Sequence, residues 1–459
     1  MGLSTFHSLN TAARGLEAAR AQIAITAQNT ANAGTVGYTR QSAQLQSLPG
    51  VQPTGLFTNP TGAGQGVEVA GIGRSASEML NTQVRHALGQ SGYQQVRAEA
   101  FSGVEDVLRE PGDASVSTVI SAYHAAWQDY ANNPGDTGAG TALLEASKSL
   151  TGRLSSDFQK LENQYSAQEA GLAAEVNQVN SLAEQLAQIN GTIRSTGAAG
   201  GSTNELLDFR DQIAEQLSAL TGGQLRPAAD GTGEFLVGGN ALVSGETAHG
   251  LEVGKDADDL PMVQWKHRPG SAGLDGGSLA GRVAVLSDSG PLAKAMEQYN
   301  ETAEAIATST NAVYSTAAAA DGSTGHTFFE VNGDPAAKNL GILVTGPEAI
   351  LHAAAGAGAM DGSVADQISA TGGEVLGDWS GYVSGVGSQS RSALDGLTLA
   401  VGSESSARAS QQSMASVDRD EEAVNLVTFQ HAYQASARVL TAVDEMLDTL
   451  INRVGLVGR

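Results

Sequence analysis

The chain contains no cysteine, which excludes disulfides, thiolate metal sites and thiol catalysis. Aromatic residues make up 5% of its 459 residues and charged residues 16%. An interior must therefore be built from Ala, Leu, Val and Ile, a composition that suits long helices packed closely on small side chains. Basic residues are scarce as well: 25 Lys and Arg stand against 49 Asp and Glu, a formal net charge of -24. A phosphate-binding face needs clustered Lys and Arg, so no nucleic-acid or anionic-membrane partner is expected. Residues 1–40 run against this balance, with Arg14, Arg20 and Arg40 facing only Glu17. No run approaches the roughly eighteen apolar residues that mark a membrane span. The N-terminus also lacks the basic region, apolar run and small-residue cleavage site of a signal peptide, so export, if it occurs, is expected to spare the N-terminus.

Reactive constellations are equally thin. The eight histidines include no pair at the i, i+4 spacing that would put two imidazoles on one helix face. Gly62-x-Gly64-x-Gly66 resembles half a phosphate loop, but no Gly-Lys-Ser/Thr follows, and the next residues, Val67, Val69 and Ile72, read as a strand rather than a helix N-terminus. Asp256, Asp258 and Asp259 lack the glycine and distal glutamate of a calcium loop. No Gly-x-Ser-x-Gly elbow has a His and an Asp in attendance. The expectation is a non-enzyme with no catalytic, cofactor-binding or metal-ligating residues.

What the chain does have is two matched ends. Over 418–457 a seven-residue repeat runs through Leu426, Tyr433, Leu440, Leu447 and Val454, with a second row at Phe429, Ser436, Val443, Leu450 and Val457. This is the pattern of a coiled-coil-like seam. Over 3–30, Leu9, Leu16, Ile23 and Thr30 form one row and Phe6, Ala13, Arg20 and Ala27 a smaller one, interrupted by a charge. Asp418 followed by Glu421 resembles a capping box, and Asp420, Glu421 and Glu422 put negative charge in the first turn, where free N–H groups favour it. Both helices could pack on a globular middle. Their position at the extreme ends favours packing against other subunits, through Leu9, Leu16, Ile23, Leu426, Phe429, Tyr433, Leu440, Val443, Leu447, Leu450 and Val454.

Between the ends the pattern predicts a mainly α fold with a smaller β-rich subdomain. Helices are expected over 77–110, 115–131, 141–193 and 204–220. A hairpin follows at Phe235-Leu236-Val237, Gly238-Gly239-Asn240 and Ala241-Leu242-Val243, with strands near Leu251 and Met262. Helix returns over 290–319, a strand over 340–344, and helical segments over 347–412. The domains are read as nested and discontinuous: 1–45 with 415–459 as a terminal helical domain, 46–222 with 287–414 as a long-helix middle, and 223–286 as its β-rich portion.

The stretch Asn29-Thr30-Ala31-Asn32-Ala33-Gly34-Thr35-Val36-Gly37-Tyr38-Thr39-Arg40-Gln41 resembles the N-terminal signature of bacterial flagellar axial proteins. Asp420-Glu421-Glu422-Ala423-Val424-Asn425-Leu426, Phe429 to Leu440 and Asp444-Glu445-Met446-Leu447 resemble the other end of the same family. Internal stretches are similar to its hook-associated branch: Gly66-Val67-Glu68-Val69, Gly71-Ile72-x-Arg74, Trp127-Gln128-Asp129, Ala131-Asn132-Asn133-Pro134, Leu207-Asp208-x-Arg210-Asp211 and Phe328-Phe329. The resemblance implies a structural junction protein that polymerises as a ring between hook and filament and adapts one to the other, with a hook or distal-rod subunit as the alternative. It implies paired terminal helices in an inner tube and a family turn at Asn32, Gly37, Tyr38, Arg40 and Gln41. Implied partners are further copies of the chain, the hook protein, a second junction protein and an export chaperone at the C-terminal region. Implied location is the extracellular flagellum, reached by type III export without a cleaved signal. Two departures stand out: the large outer domain of longer relatives is expected to be missing near 331–339, and no arginine follows Pro134.

Overall fold

The computed structural model describes residues 5–49 and 64–452. The first helix, α1 (Thr5–Asn32), leads into an antiparallel hairpin of β1 (Gln41–Ser47) and β2 (Val67–Arg74), with Gln41 opposite Arg74, Ser47 opposite Val67 and a one-residue shift of register between Gln44 and Leu45. Three helices follow: α2 (Glu78–Leu108), α3 (Val116–Asn132) and the long α4 (Thr137–Ala198). The starts of α3 and α4 are fixed by their caps. Ser115 Oγ accepts from the Thr118 N–H at 3.2 Å, and Asp136 Oδ1 from that of Ala139 at 2.8 Å, each satisfying a donor the helix cannot satisfy itself. The predicted helix over 141–193 thus begins earlier, because Asp136 after Pro134-Gly135 is a better cap than any residue near Thr141, and it continues to Ala198.

Beyond α5 (Asn204–Thr221) lie two small antiparallel sheets. One contains β3 (Gln224–Pro227), β4 (Gly233–Val237), β5 (Asn240–Ser244) and β6 (Thr247–Ala248); the other contains β7 (Leu251–Lys255), β8 (Pro261–Trp265) and β9 (Arg268–Ser271). The β-rich stretch is not β to its end. Gly277–Leu286 forms a helix, α6, within the stretch expected to be β-rich. The next helix, α7 (Pro291–Tyr314), starts on a proline that needs no N–H partner and stops short of the predicted 319.

A short hairpin pairs β10 (Phe329–Val331) with β11 (Leu340–Ile342), joined through the single turn α8 (Ala336–Asn339). The connection over 332–339 closes directly, Asn332 N–H donating to Asn339 O at 3.0 Å. The predicted 347–412 helical region divides into a 3₁₀ turn at Pro347–Ala349, a non-helical stretch, α9 (Ser363–Ala370) and α10 (Gly372–Ala415); α11 (Arg419–Asn452) ends the described chain.

The long α4 serves two cores. Leu143, Leu150, Leu154 and Leu161 in its first half pack with α2, α3, α7, α9 and α10 around Trp127, Tyr299 and Trp379. Leu172, Val176, Val179 and Leu186 in its second half pack with α5, α6 and the sheets around Phe235 and Trp265. Scarce aromatics are concentrated where several elements meet: Trp127 lies edge-on to Phe328 at 5.1 Å and to Tyr314 at 6.1 Å. Backbones approach closely where α2 crosses α5, since a Cβ at Gly92 would lie 2.5 Å from Ala219 O. Among the described residues no helix is long and apolar enough to cross a membrane.

Candidate assembly site at the paired termini

The ends meet. α1 packs lengthwise on α11, with the β1–β2 hairpin on another side of α1. The buried stripe of α1 is made mostly of small side chains, Ala12, Ala18, Ala19, Ile25 and Thr26, rather than of the predicted leucine row. Leu9, Leu16 and Ile23 are half-buried at its edge. Alanines give a weak hydrophobic signal but allow close approach: a Cβ at Gly15 would lie 3.1 Å from Ser436 Oγ on α11.

On α11 the predicted seam turns inward to differing depths. Val443 is 3% exposed, Leu426, Phe429, Leu440 and Leu447 are half-buried, and Tyr433 remains 37% exposed. The Leu450 side chain and Val454 lie outside the described residues. Further apolar residues of α11 have no cover: Val424, 66% exposed, and Val427 point away from the seam, and Val439 and Met446 lie along its flank, beside Val443.

One end of this helix pair is locked by a polar knot. Asn29, 1% exposed near the end of α1, uses all four hydrogen-bonding capacities of its carboxamide. Its Oδ1 accepts from the Gln41 N–H at 3.0 Å and the Tyr38 hydroxyl at 2.9 Å. Its Nδ2 donates to Gln41 O at 2.9 Å and to Glu422 Oε1 at 3.2 Å. Glu422, 2% exposed, also accepts from Arg40 Nε at 2.8 Å, while Glu421 Oε1 accepts from Arg40 Nη2 at 2.9 Å. Burial opposes the Arg40 charge, but hydrogen bonds to Glu421 and then Glu422 raise its pKa above the ordinary arginine value. Burial first, then the charges of Glu205, Asp208 and Glu422, push the Tyr38 hydroxyl up to about 12, which keeps it a donor.

This arrangement revises two sequence readings. Asn32 bonds only locally, donating to Gln28 O at 3.1 Å, whereas Asn29, three residues earlier, is the pivot. Asp418 caps α11 by accepting from the Asp420 and Glu421 N–H groups at 2.9 and 3.3 Å, but the Glu421 carboxylate is turned to Arg40.

The turn is tied to α5 as well. Thr39 N–H donates to Asp208 Oδ2 at 3.2 Å, and Arg74 pairs with Asp208 at 2.6 Å and Asp211 at 2.9 Å. Asp211 also accepts from Arg210, which donates to Gly231 O at 2.6 Å. Gln41 accepts from Asn204 at 3.2 Å, and Gln28 donates to Glu205 at 2.9 Å. Burial raises the Asp208 pKa against the opposing Arg74 charge. Gly37 has φ +80° and faces Gln212, whose amide donates to Val36 O at 2.9 Å, so this turn requires glycine on both conformational and spatial grounds. Two separate motif stretches, 29–41 and 207–211, thus form one contact connecting the terminal helices to the helical middle.

Residues 101–329 match the family model described as flagellar hook-associated protein FlgK helical domain, and residues 411–453 match flagellar basal body rod FlgEFG protein C-terminal. The chain is 27% identical over 508 aligned positions to flagellar hook-associated protein 1 of Bacillus subtilis, covering 99% of this chain and 100% of that one. It is 29% identical to the Escherichia coli protein of the same name over 74% of this chain, but spans only 63% of that longer relative. A solved structure titled as the flagellar hook junction protein FlgK from Burkholderia pseudomallei aligns with a TM-score of 0.46 at 26% identity, over 56% of this chain and 47% of that one. With both ends and the helical middle accounted for in the right order, the chain belongs to the flagellar hook-associated protein family.

Proposed function

We propose that this chain is a structural subunit of the bacterial flagellum that polymerises between hook and filament and adapts one to the other. The partly covered α11 carries this reading: α1 covers its apolar seam within the chain, and Val424, Val427, Val439 and Met446 are left open. Fully burying side chains of this size against a neighbour is worth about 1.5 to 3 kcal/mol each, enough for a few of them to drive assembly. The α1–α11 pair, within 1–45 and 415–459, then forms the inner tube. The helical middle, 46–222 with 287–414, and its β-rich portion, 223–286, face outward, and the knot at Asn29 and Arg40 fixes their angle to the tube. Neighbours are further copies in a ring, the hook protein on one side and a second junction protein on the other. Before assembly a chaperone covers the C-terminal region, and the chain is exported without signal cleavage to the extracellular junction.

The hook or distal-rod alternative draws support from the rod-type match over 411–453, but the match over 101–329 favours the hook-associated reading. A strain lacking the gene should build hooks, shed unpolymerised filament protein and be non-motile. Normal filament retention would reject the junction role, and loss of the hook itself would favour the alternative.

A further inference from the structure

The β-rich part of the chain carries a half-open cavity of about 220 Å³ lined by Asn240, Ala241, His249, Trp265, His267 and Arg268. The two imidazoles stand 5.3 Å apart between ring centroids, and the Trp265 indole lies 5.8 Å from that of His267. Trp265 is 2% exposed, and its Nε1–H is buried without a hydrogen-bond partner. A buried donor with no acceptor is costly, so an indole left this way needs an explanation. The same turn carries Lys266-His267-Arg268, and residues 260–274 contain no Asp or Glu. Among the described residues no carboxylate lines this cavity. In a chain of net charge -24, this is a spot rich in donors and without local counter-charge.

We infer that this cavity binds a small oxyanion, a phosphate or carboxylate group, independently of the junction reading. One oxygen accepts the Trp265 Nε1–H, the imidazole N–H groups of His249 and His267 supply further donors, and the Arg268 guanidinium balances the charge with its planar fork. The oxyanion has two possible sources, a free anion or a carboxylate side chain of a second copy of this acidic chain.

The test uses the full-length chain labelled with ¹⁵N, in which Trp127, Trp265 and Trp379 give separate indole N–H signals. Sodium phosphate is titrated against sodium chloride at equal ionic strength. The signal lost in Trp265→Phe should move saturably with phosphate and stay still with chloride. In the exposed double variant His267→Gln, Arg268→Gln, the midpoint should rise roughly tenfold or more, a change of one decade in affinity, with circular dichroism unchanged. Should Trp265→Phe fail to fold, the indole signal displaced by Arg268→Gln alone supplies the assignment. An equal response to both salts, or a double variant that titrates like the parent, overturns the proposal. Sedimentation separates the two sources: phosphate should weaken self-association where a neighbour's carboxylate fills the site, and leave it unchanged where a free anion does.

Discussion

Asn29 on α1 donates to the Glu422 carboxylate on α11 across 3.2 Å, although 393 positions separate them. A carboxylate buried this deeply is tolerable only when its charge is balanced and its oxygens are bonded, and Arg40 and Asn29 supply those two requirements. The family turn is therefore a clasp that joins the last turn of α1 to the first turn of α11.

Removing either partner of Glu422 should loosen both terminal helices together. Asn29→Ala strands the Gln41 backbone and part of Glu422 and should cost about 2–3 kcal/mol. Arg40→Ala leaves a buried charge unpaired and should cost about 3 kcal/mol or more. Because both act on one carboxylate, the double variant should fall short of the sum by at least about 0.5 kcal/mol. Amide hydrogen exchange in α1 and α11 measures all three, and strict additivity would show that the two contacts do not form a unit.

The depth to which these features could be read from sequence varied with their chemistry. The heptad of Leu426, Leu440 and Leu447 was plain because large apolar residues carry a strong periodic signal. The buried stripe of α1 was hidden because Ala12, Ala18 and Ala19 are as acceptable on a surface as in a seam. Asn29 was passed over because an asparagine near a helix end ordinarily reads as a terminus signal, and its partners Gln41 and Glu422 are joined to it only by tertiary folding. The α6 helix is not legible in the sequence because its ten residues are too short an apolar stretch to tell strand from helix.

Val439 and Val443, one turn apart on α11 but exposed and buried respectively, should respond differently to the same change. Val439→Asp, on the uncovered flank, should leave monomer stability within about 0.5 kcal/mol yet reduce polymerisation sharply. Val443→Asp puts a charge into the α1 seam and should destabilise the monomer by about 3 kcal/mol or more. Leu440→Asp, half-buried, should spare the helical middle but impair junction formation. Thermal unfolding paired with a sedimentation assay of polymer distinguishes these effects; a Val439→Asp chain that polymerises normally would remove this flank from the assembly interface.

Glu110 gives a pH prediction with a defined sign. Burial raises its pKa, but the Ser117 N–H and hydroxyl and the Trp379 indole outweigh burial and leave the pKa below the ordinary glutamate value. Its Oε1 accepts from Ser117 N at 2.9 Å and from Trp379 Nε1 at 2.9 Å. A carboxylate with a depressed folded pKa contributes stability that is complete above its unfolded pKa and is lost as pH falls through its folded value. Glu110→Gln should therefore be less stable than the parent at neutral pH, with the gap closing in acid below the ordinary carboxylate range. Denaturation across that range checks it, and a gap that widens in acid would reverse the assigned direction.

Gly37→Ala should cost about 1 kcal/mol from the positive φ alone, with a further cost for displacing the Gln212 amide from Val36 O. A companion Gln212→Ala variant separates the two terms. It should relieve the crowding but retain the backbone penalty, so Gly37→Ala in that background should remain destabilising by the smaller amount, as read by thermal unfolding.

In the monomer the two ends should also be cut together. Before assembly, α1 and α11 rest chiefly on each other and on the β1–β2 hairpin, and their large seam residues are only partly covered. Limited proteolysis should trim the chain before about 45 and after about 415, the low-stability end of its opening spectrum. The connection after α10 is guarded, because Arg40 N–H donates to Ala415 O at 2.8 Å and Arg40 grips the start of α11. Release of one end therefore exposes the other. Both cleavages should appear at matching rates, accelerate together in Asn29→Ala, and disappear on polymerisation. Mass spectrometry of a digest time course reads this directly: trimming of one end with the other fully retained would show that the clasp does not couple them, and resistance of both ends in a confirmed monomer would show that the pair is stable without neighbours.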